Sequence, residues 1–244
     1  MTSPRVVLLT GANGGIGGAI VRAFLSEPDA PVLWLGWHRR RERLDALAHA
    51  APGRLELVQL EVTSREHWDR AVAAILDRHG RLDVLINNAG GPRDSLLGTM
   101  PVADWEEVRA THLDAVFHGC QAVLPAMIAQ RWGRIVNMAS VSALLAPAGQ
   151  ANYAAAKAGV VALTRSLAKE VARIGITVNA VCPGYIETEA LGALDPEARR
   201  SILQRIPARR LGRPEEVAAV VRFLACPDAS YLTGSAVTVD GGIH

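Results

Sequence analysis

Cysteine, aromatic residues and charge of one sign are all scarce in this chain. Its three cysteines, Cys120, Cys182 and Cys226, are odd in number and widely spaced. No CxxC and no Cys/His cluster has metal-ligand spacing, so no metal site and no disulfide framework is expected. The three read as small buried residues of a protein in a reducing cytoplasm. Basic and acidic residues nearly balance, 26 against 24. That balance gives no sign of a dedicated nucleic-acid binder. Long apolar runs are missing too. The N-terminal stretch MTSPRVVLLTGANGG is too short in apolar residues for a signal peptide. Residues 135–156 carry no charge, but Asn137, Ser140, Ser142, Pro147, Gly149, Gln150, Asn152 and Tyr153 interrupt them. Breakers and polar groups at that density do not span a bilayer. What is present is half hydrophobic and one-fifth charged over 244 residues. Such a chain buries about 70–75% of its unfolded surface and needs no staple. With no repeat, no low-complexity linker and no composition shift, it reads as a single domain over residues 1–244.

Short β-rich runs alternate with longer helical patterns. Strands are expected at 6–9, 32–35, 55–60, 84–86, 134–138, 176–181 and 236–239. Helices are expected at 15–25, 41–49, 65–79, 105–130 (with a break) and 152–172. Val6, Val7, Leu8 and Leu9 are apolar without alternation, as in a parallel strand covered on both faces. Repeated strand–helix–strand units predict an α/β protein, a doubly wound parallel seven-stranded sheet of Rossmann type with helices on both faces. One long irregular stretch is left, about 183–214, and 184–213 reads as a substrate lid.

Gly11, Ala12, Asn13, Gly14, Gly15, Ile16 and Gly17 follow the first strand and open the first helix. Glycines there allow a tight turn and let backbone approach a pyrophosphate, which the helix N-terminus then meets with N–H groups. A site for NAD would carry Asp or Glu about 20 residues beyond the last glycine. Here Gly36, Trp37, His38, Arg39, Arg40 and Arg41 supply cations and no carboxylate. A 2′-phosphate suits arginine's planar fork, so NADP(H) is the expected cofactor. The bland alternative is a solvated basic helix start.

Gly11, Gly15 and Gly17 do not form the common GxGxxG. They match the TGxxxGxG pattern of the short-chain dehydrogenase/reductase family. Asn87-Asn88-Ala89-Gly90 resembles the family's NNAG motif, and Tyr153 with Lys157 resembles its YxxxK signature. Pro183-Gly184 and Asp240-Gly241-Gly242 also fit, so the resemblance runs along the whole chain. It implies that Asn13, Ile16, Asn88, Ala89, Gly90, Pro183, Gly184, Ile186 and Thr188 line the dinucleotide. Glu61-Val62 stands where the family usually has Asp-Val beside the adenine.

Tyr153 and Lys157 lie four residues apart on a predicted helix and share a face. Protonating an alkoxide near neutral pH needs an acid, and a phenol's ordinary pKa near 10 falls beside an ammonium. The resemblance implies that Lys157 also binds the nicotinamide ribose. It implies that Ser140, at the C-terminal edge of a predicted strand, donates to the substrate carbonyl. Spacing to Tyr153 selects Ser140 over Ser142. The chain departs from the family at His112, which fills the slot of an Asn that holds a relay water. An imidazole can hold water and can itself titrate; a purely structural histidine is the alternative.

Further stretches, 150–159, 175–179, 183–188 and 210–216, resemble bacterial 3-oxoacyl-(acyl-carrier-protein) reductases. That implies reduction of a carrier-bound 3-oxoacyl thioester. The carrier would dock near Arg131, which matches a docking arginine of that group, and near Arg173, one residue from the second position. A cytoplasmic homotetramer is implied as well, pairing the helices around 114–130 and 152–172. Two other readings stay open: an oxidoreductase for a free ketone or alcohol, and a non-catalytic dinucleotide-binding regulator. The second has no use for Ser140, Tyr153 and Lys157.

Overall fold

Strands apolar on both faces must be covered on both. The computed structural model describes residues 4–39, 41–91, 93–192 and 195–244. Seven strands form one parallel sheet: β1 Val6–Thr10, β2 Val32–Trp37, β3 Leu55–Gln59, β4 Val84–Asn87, β5 Gly133–Met138, β6 Ile176–Pro183 and β7 Ala236–Val239. Their order is β3-β2-β1-β4-β5-β6-β7. The helices are α1 Gly15–Leu25, α2 Glu42–Ala50, α3 Arg65–His79, α4 Val102–Arg109, α5 Ala115–Gln130, α6 Ser142–Leu145, α7 Ala151–Val171, α8 Glu189–Gly192, α9 Pro196–Arg205 and α10 Pro214–Leu224.

β1 shows how the two cores arise. Val6 and Leu8 point into one, with Trp68 and Ile75 of α3, Val123 of α5 and Val160 of α7. Val7 and Leu9 point into the other, with Ile20 and Phe24 of α1, Leu44 of α2 and Val221 of α10. The doubly wound parallel sheet expected from the sequence is what forms. Chain order reverses at β1, which lies between β2 and β4. The crevice outside the carboxyl ends of those strands is where open α/β sheets take ligands.

Two expectations are corrected. Residues 105–130 are not one helix with a simple break: α4 starts earlier, at Val102, and a π-helical turn over Ala110–Asp114 joins it to α5. The stretch 183–214 is not irregular throughout. It holds α8 and α9, and the Asp195 carboxylate caps α9 by accepting from the N–H groups of Glu197 and Ala198, both at 2.9 Å. Asp195 followed by Pro196 is a helix-start signal that the surrounding glycines and prolines obscured. Among the described residues no helix is long and apolar enough to cross a membrane.

Candidate active site

β1 ends at Thr10, whose hydroxyl accepts from the backbone N–H of Asn88 at 2.9 Å and of Ala89 at 3.1 Å. The Asn88 amide donates back to the carbonyls of Thr10 and Gly11. The glycine turn and the end of β4 are thus tied together, and Asn88 is spent on the tie. Gly11 has a φ of +69°, and a Cβ there would lie 2.8 Å from Ala89 Cα, so only glycine fits. α1 begins after Gly14, which offers no side-chain cap. The Gly14 N–H bonds back to the Gly11 carbonyl at 3.3 Å, and the first-turn N–H groups from exposed Gly15 onward are ones that no helix satisfies internally. Thr188 lies against Gly15, while the Ile186 side chain is buried against Gly212. Pro183 is buried at the end of β6, and Gly184 packs on Asp240. An uncapped helix N-terminus beneath a glycine turn fits a dinucleotide pyrophosphate.

The basic segment after β2 is less uniform than its sequence. Arg41 is held by Asp45 through bonds of 2.8 to 3.1 Å and lies over the Trp37 ring, 5.3 Å from its centroid. It is committed to α2. Arg39 is exposed and forms no ion pair among the described residues; Arg40 lies outside them. His38 Nε2 sits 2.6 Å from Glu61 Oε2. Glu61 Oε1 accepts from the Thr63 N–H and hydroxyl. Val62 is turned partly into the core, and its carbonyl accepts from Trp68 Nε1.

Ser140, Tyr153, Lys157 and His112 converge at the C-terminal edge of β4 and β5. The Ser142 hydroxyl donates to Gln150 Oε1 at 2.8 Å, and its N–H donates to Ser140 Oγ at 3.1 Å. Ser142 is therefore occupied, while the Ser140 hydroxyl lies on the Tyr153 side and favours the phenol's ionised form. The Gln150 amide continues to Asp94 Oδ2 at 2.8 Å. Lys157 is buried, and its ammonium donates to the Met138 carbonyl at 2.6 Å. Burial pushes its pKa down to about 8. Its Nζ lies 5.7 Å from the Tyr153 ring centroid.

The phenol differs from expectation. Burial pushes the Tyr153 pKa up, only partly offset by the bond to Ser140. An ammonium turned toward Met138 does not reverse that. Tyr153 is held as an acid rather than eased toward phenolate.

His112 sits in the π-helical turn and is 2% exposed. Its Nε2 lies 3.0 Å from the Gly91 carbonyl, so that nitrogen carries the proton and Nδ1 is the acceptor. Nδ1 is buried without a partner among the described residues. The ring meets Tyr153 edge to face, centroids 5.0 Å apart. Gly90, with φ +129°, makes room: a Cβ there would lie 2.6 Å from His112 Nδ1. Burial first, then the Lys157 charge, push the imidazole pKa down to about 4. That shift holds the ring neutral near pH 7 and favours an imidazole that does not titrate there.

Sequence reading missed Thr10, Gly91, Met138 and Gln150. Two act through backbone carbonyls, which leave no mark on side-chain identity. Thr10 had one signal, a hydroxyl at the last position of a buried strand. Arg131 and Arg173 do not join the site. They precede β5 and β6, at the opposite edge of the sheet. Both are exposed.

The model of a family described as enoyl-(acyl carrier protein) reductase matches residues 11–244. A 3-oxoacyl-(acyl-carrier-protein) reductase of Thermotoga maritima is 45% identical over 242 residues, covering 98% of this chain and 97% of the relative. One from Vibrio cholerae is 43% identical with the same coverage. Nodulation protein G of Azospirillum brasilense is 38% identical over 99% of each chain.

Proposed function

We propose that this chain, which belongs to the short-chain dehydrogenase/reductase family and is an oxidoreductase with a nicotinamide dinucleotide cofactor, reduces the ketone of a 3-oxoacyl thioester carried on acyl-carrier protein. One observation carries the proposal: Ser140 and Tyr153 place two hydroxyls together at the sheet edge, above a buried lysine. Two hydroxyls at one point suit a carbonyl oxygen that becomes an alkoxide. The relatives' names supply the acyl-thioester class.

Tyr153 donates its proton to that oxygen. Its raised pKa keeps the proton in place until the alkoxide forms. Ser140 hydrogen-bonds the same oxygen and polarises the carbonyl. The dinucleotide, when bound, supplies the hydride that reaches the carbonyl carbon. Gly11, Asn13, Gly15, Ile16 and Gly17 hold its pyrophosphate by backbone, with Thr188 against them. Ala89 and Gly90 line its path, as do Pro183, Gly184 and the Ile186 backbone. Lys157 binds the nicotinamide ribose through its ammonium. His112 stands in for the family's relay Asn, with Nδ1 accepting from the water that returns a proton toward Lys157 and Tyr153.

Arg39, with His38 and Arg40, selects NADP(H). We expect at least a tenfold preference for NADPH, about 1.4 kcal/mol. The segment 184–213 closes over the substrate. The protein works in the cytoplasm as a homotetramer, supported by exposed Phe117 and Ile128 on α5 and exposed Ala155, Ala158 and Ala162 on α7. Ala154 packs within the subunit.

The test is NADPH oxidation with acetoacetyl thioesters, on carrier protein and as small analogues, beside a panel of free ketones. Turnover confined to free ketones would replace the thioester reading with that of a free-ketone oxidoreductase.

A further inference from the structure

We propose that the Gln150 side-chain amide binds the thioester carbonyl of the substrate, and that Asp94 orients the amide for that task. The inference deepens the reading of this site as one for a 3-oxoacyl thioester and rests on it. Such a substrate carries two carbonyl groups with one methylene between them. Ser140 and Tyr153 serve the ketone oxygen and leave the thioester oxygen without a donor.

Gln150 stands just before α7 and opens its first turn, with the Ala154 N–H bonded to the Gln150 carbonyl at 2.7 Å. Tyr153 follows three residues later. The amide is tied at both ends: Oε1 accepts from the Ser142 hydroxyl at 2.8 Å, and Nε2 donates to Asp94 Oδ2 at 2.8 Å. Ser142 in turn gives its N–H to Ser140 Oγ at 3.1 Å, so the amide is one residue removed from the hydroxyls that hold the ketone. Its orientation follows from chemistry. A carboxylate accepts, so nitrogen and not oxygen faces Asp94. An amide nitrogen carries two hydrogens, and Asp94 takes one. Among the described residues Nε2 makes no second bond. The loop that presents Asp94 is itself pinned on both sides. The Asn152 amide donates to the Arg93 carbonyl at 3.0 Å, and the Ser95 N–H donates to the Gly149 carbonyl at 2.8 Å. A half-buried glutamine with one free end would swing; this one holds its remaining donor in one direction before substrate arrives. A donor fixed in that way separates ligands that carry the matching oxygen from those that lack it.

The experiment compares acetoacetyl-N-acetylcysteamine, a thioester, with its thioether analogue, in which a methylene replaces the thioester carbonyl and the ketone is kept. Reduction of the thioester by the whole protein with NADPH gives kcat and KM. The thioether is measured as a competitive inhibitor of that reduction, so it need not turn over. The proteins are wild type, Gln150→Ala and Asp94→Ala. Thermal melts check folding, and Gln150→Met, which keeps the length of the side chain, replaces Gln150→Ala if the latter melts early. We expect Gln150→Ala to raise KM for the thioester at least about fivefold more than it raises Ki for the thioether, the scale of one hydrogen bond. The rise in KM should exceed the fall in kcat. Asp94→Ala keeps the donor but unties it, and should move the same ratio in the same direction by less. A ratio that moves by a smaller factor in the Gln150 variant overturns the inference, because loss of a structural residue weakens both ligands alike. A wild-type ratio in Asp94→Ala overturns the orienting role. Wild type that reduces free ketones and no thioester overturns the function beneath the inference. Wild type that reduces the thioester leaves Gln150 to stand or fall on the ratio alone.

Discussion

Replacing Lys157 with methionine should stabilise the protein free of dinucleotide while abolishing its activity. Lys157 is 5% exposed, and its one hydrogen bond among the described residues goes to the Met138 carbonyl at 2.6 Å. Burial lowers its pKa from 10.5 to about 8. At about 1.4 kcal/mol per unit, holding that ammonium inside costs about 3 kcal/mol at pH 7. Methionine matches the length and removes the charge. It also leaves the Met138 carbonyl short of a donor, a loss of about 1–2 kcal/mol. The net gain is about 1–2 kcal/mol, or about 3–6 °C in Tm for a domain of this size. The sign with pH is fixed by the direction of the shift. Between pH 8 and 10.5 the unfolded chain holds a proton that the folded one has released, so wild-type stability rises with pH across that window. Lys157→Met lacks this slope, and its advantage should shrink by more than half at pH 9.5. The assay is calorimetry at fixed protein concentration at pH 7 and 9.5, with turnover measured alongside. Turnover should fall at least about a hundredfold, the low end for loss of acid–base function. A lower Tm for the variant at pH 7, or a gap unchanged at pH 9.5, would refute the reasoning.

His112→Asn should keep turnover within a few-fold, and His112→Leu should cut it at least tenfold, with dinucleotide affinity unchanged in both. Because the folded imidazole stays neutral down to about pH 4 against an ordinary 6.5, wild type alone should lose about 2–3 kcal/mol, beyond what His112→Asn loses, as pH falls from 7 to 4.5 in urea titrations. Ser140→Ala should lower kcat by about a hundredfold, the scale for one lost donor to an oxyanion. Ser142→Ala, whose hydroxyl serves Gln150, should change it less than fivefold. Arg131→Ala and Arg173→Ala should raise KM for the carrier-bound substrate and leave KM for a small thioester unchanged. Light scattering at micromolar concentration should give four times the mass of the 26.0 kDa chain; a monomer refutes the assembly.

The fold was legible because its signals are local and repeated. Helix 65–79 and strand 236–239 match their expected ends, the first because Ser64 accepts from the His67 N–H and Gly80 terminates the helix in a left-handed turn. Where reading failed, competing signals overlapped. A π-helical turn repeats its hydrogen bonds one residue further on, and no composition marks it. In α9, the prolines and glycines of 183–214 mask a helix start, which Asp195 before Pro196 marks. That Ser140, Tyr153 and Lys157 belong together was legible through the family resemblance, and the structure brings them to one place. Lys157 carried a further mark: it and Lys169 are the only lysines among 26 basic residues. Its compact ammonium fits beneath Met138, where a planar guanidinium would need more donors satisfied. The state of each group was not legible. Whether Tyr153 is pushed up or down depends on where the Lys157 ammonium points, and that is set by the Met138 carbonyl.

The same limit decides what Arg131 and Arg173 can do. From sequence Arg131 matches a docking arginine of the resembled group, and Arg173 lies one residue from the second such position. Strand direction removes both from the site. Arg131 precedes Gly133, where β5 begins, whereas Ser140 follows Met138, where it ends. Six residues of strand, at about 3.3 Å each, put about 20 Å of sheet between the two edges. Gly133 pairs with Ile176, so Arg173, just ahead of β6, stands at that same far edge. A carrier seated there faces away from Tyr153 of its own chain. Docking and chemistry can then meet only if the arginines of one subunit stand beside the open edge of another. That turns the two proposals, carrier docking and homotetramer, into one: the arginines have a role in catalysis only within the assembly. A subunit lacking Tyr153 but keeping its arginines should therefore complement one lacking the arginines but keeping Tyr153, and mixing the two should restore turnover on the carrier-bound substrate above either alone.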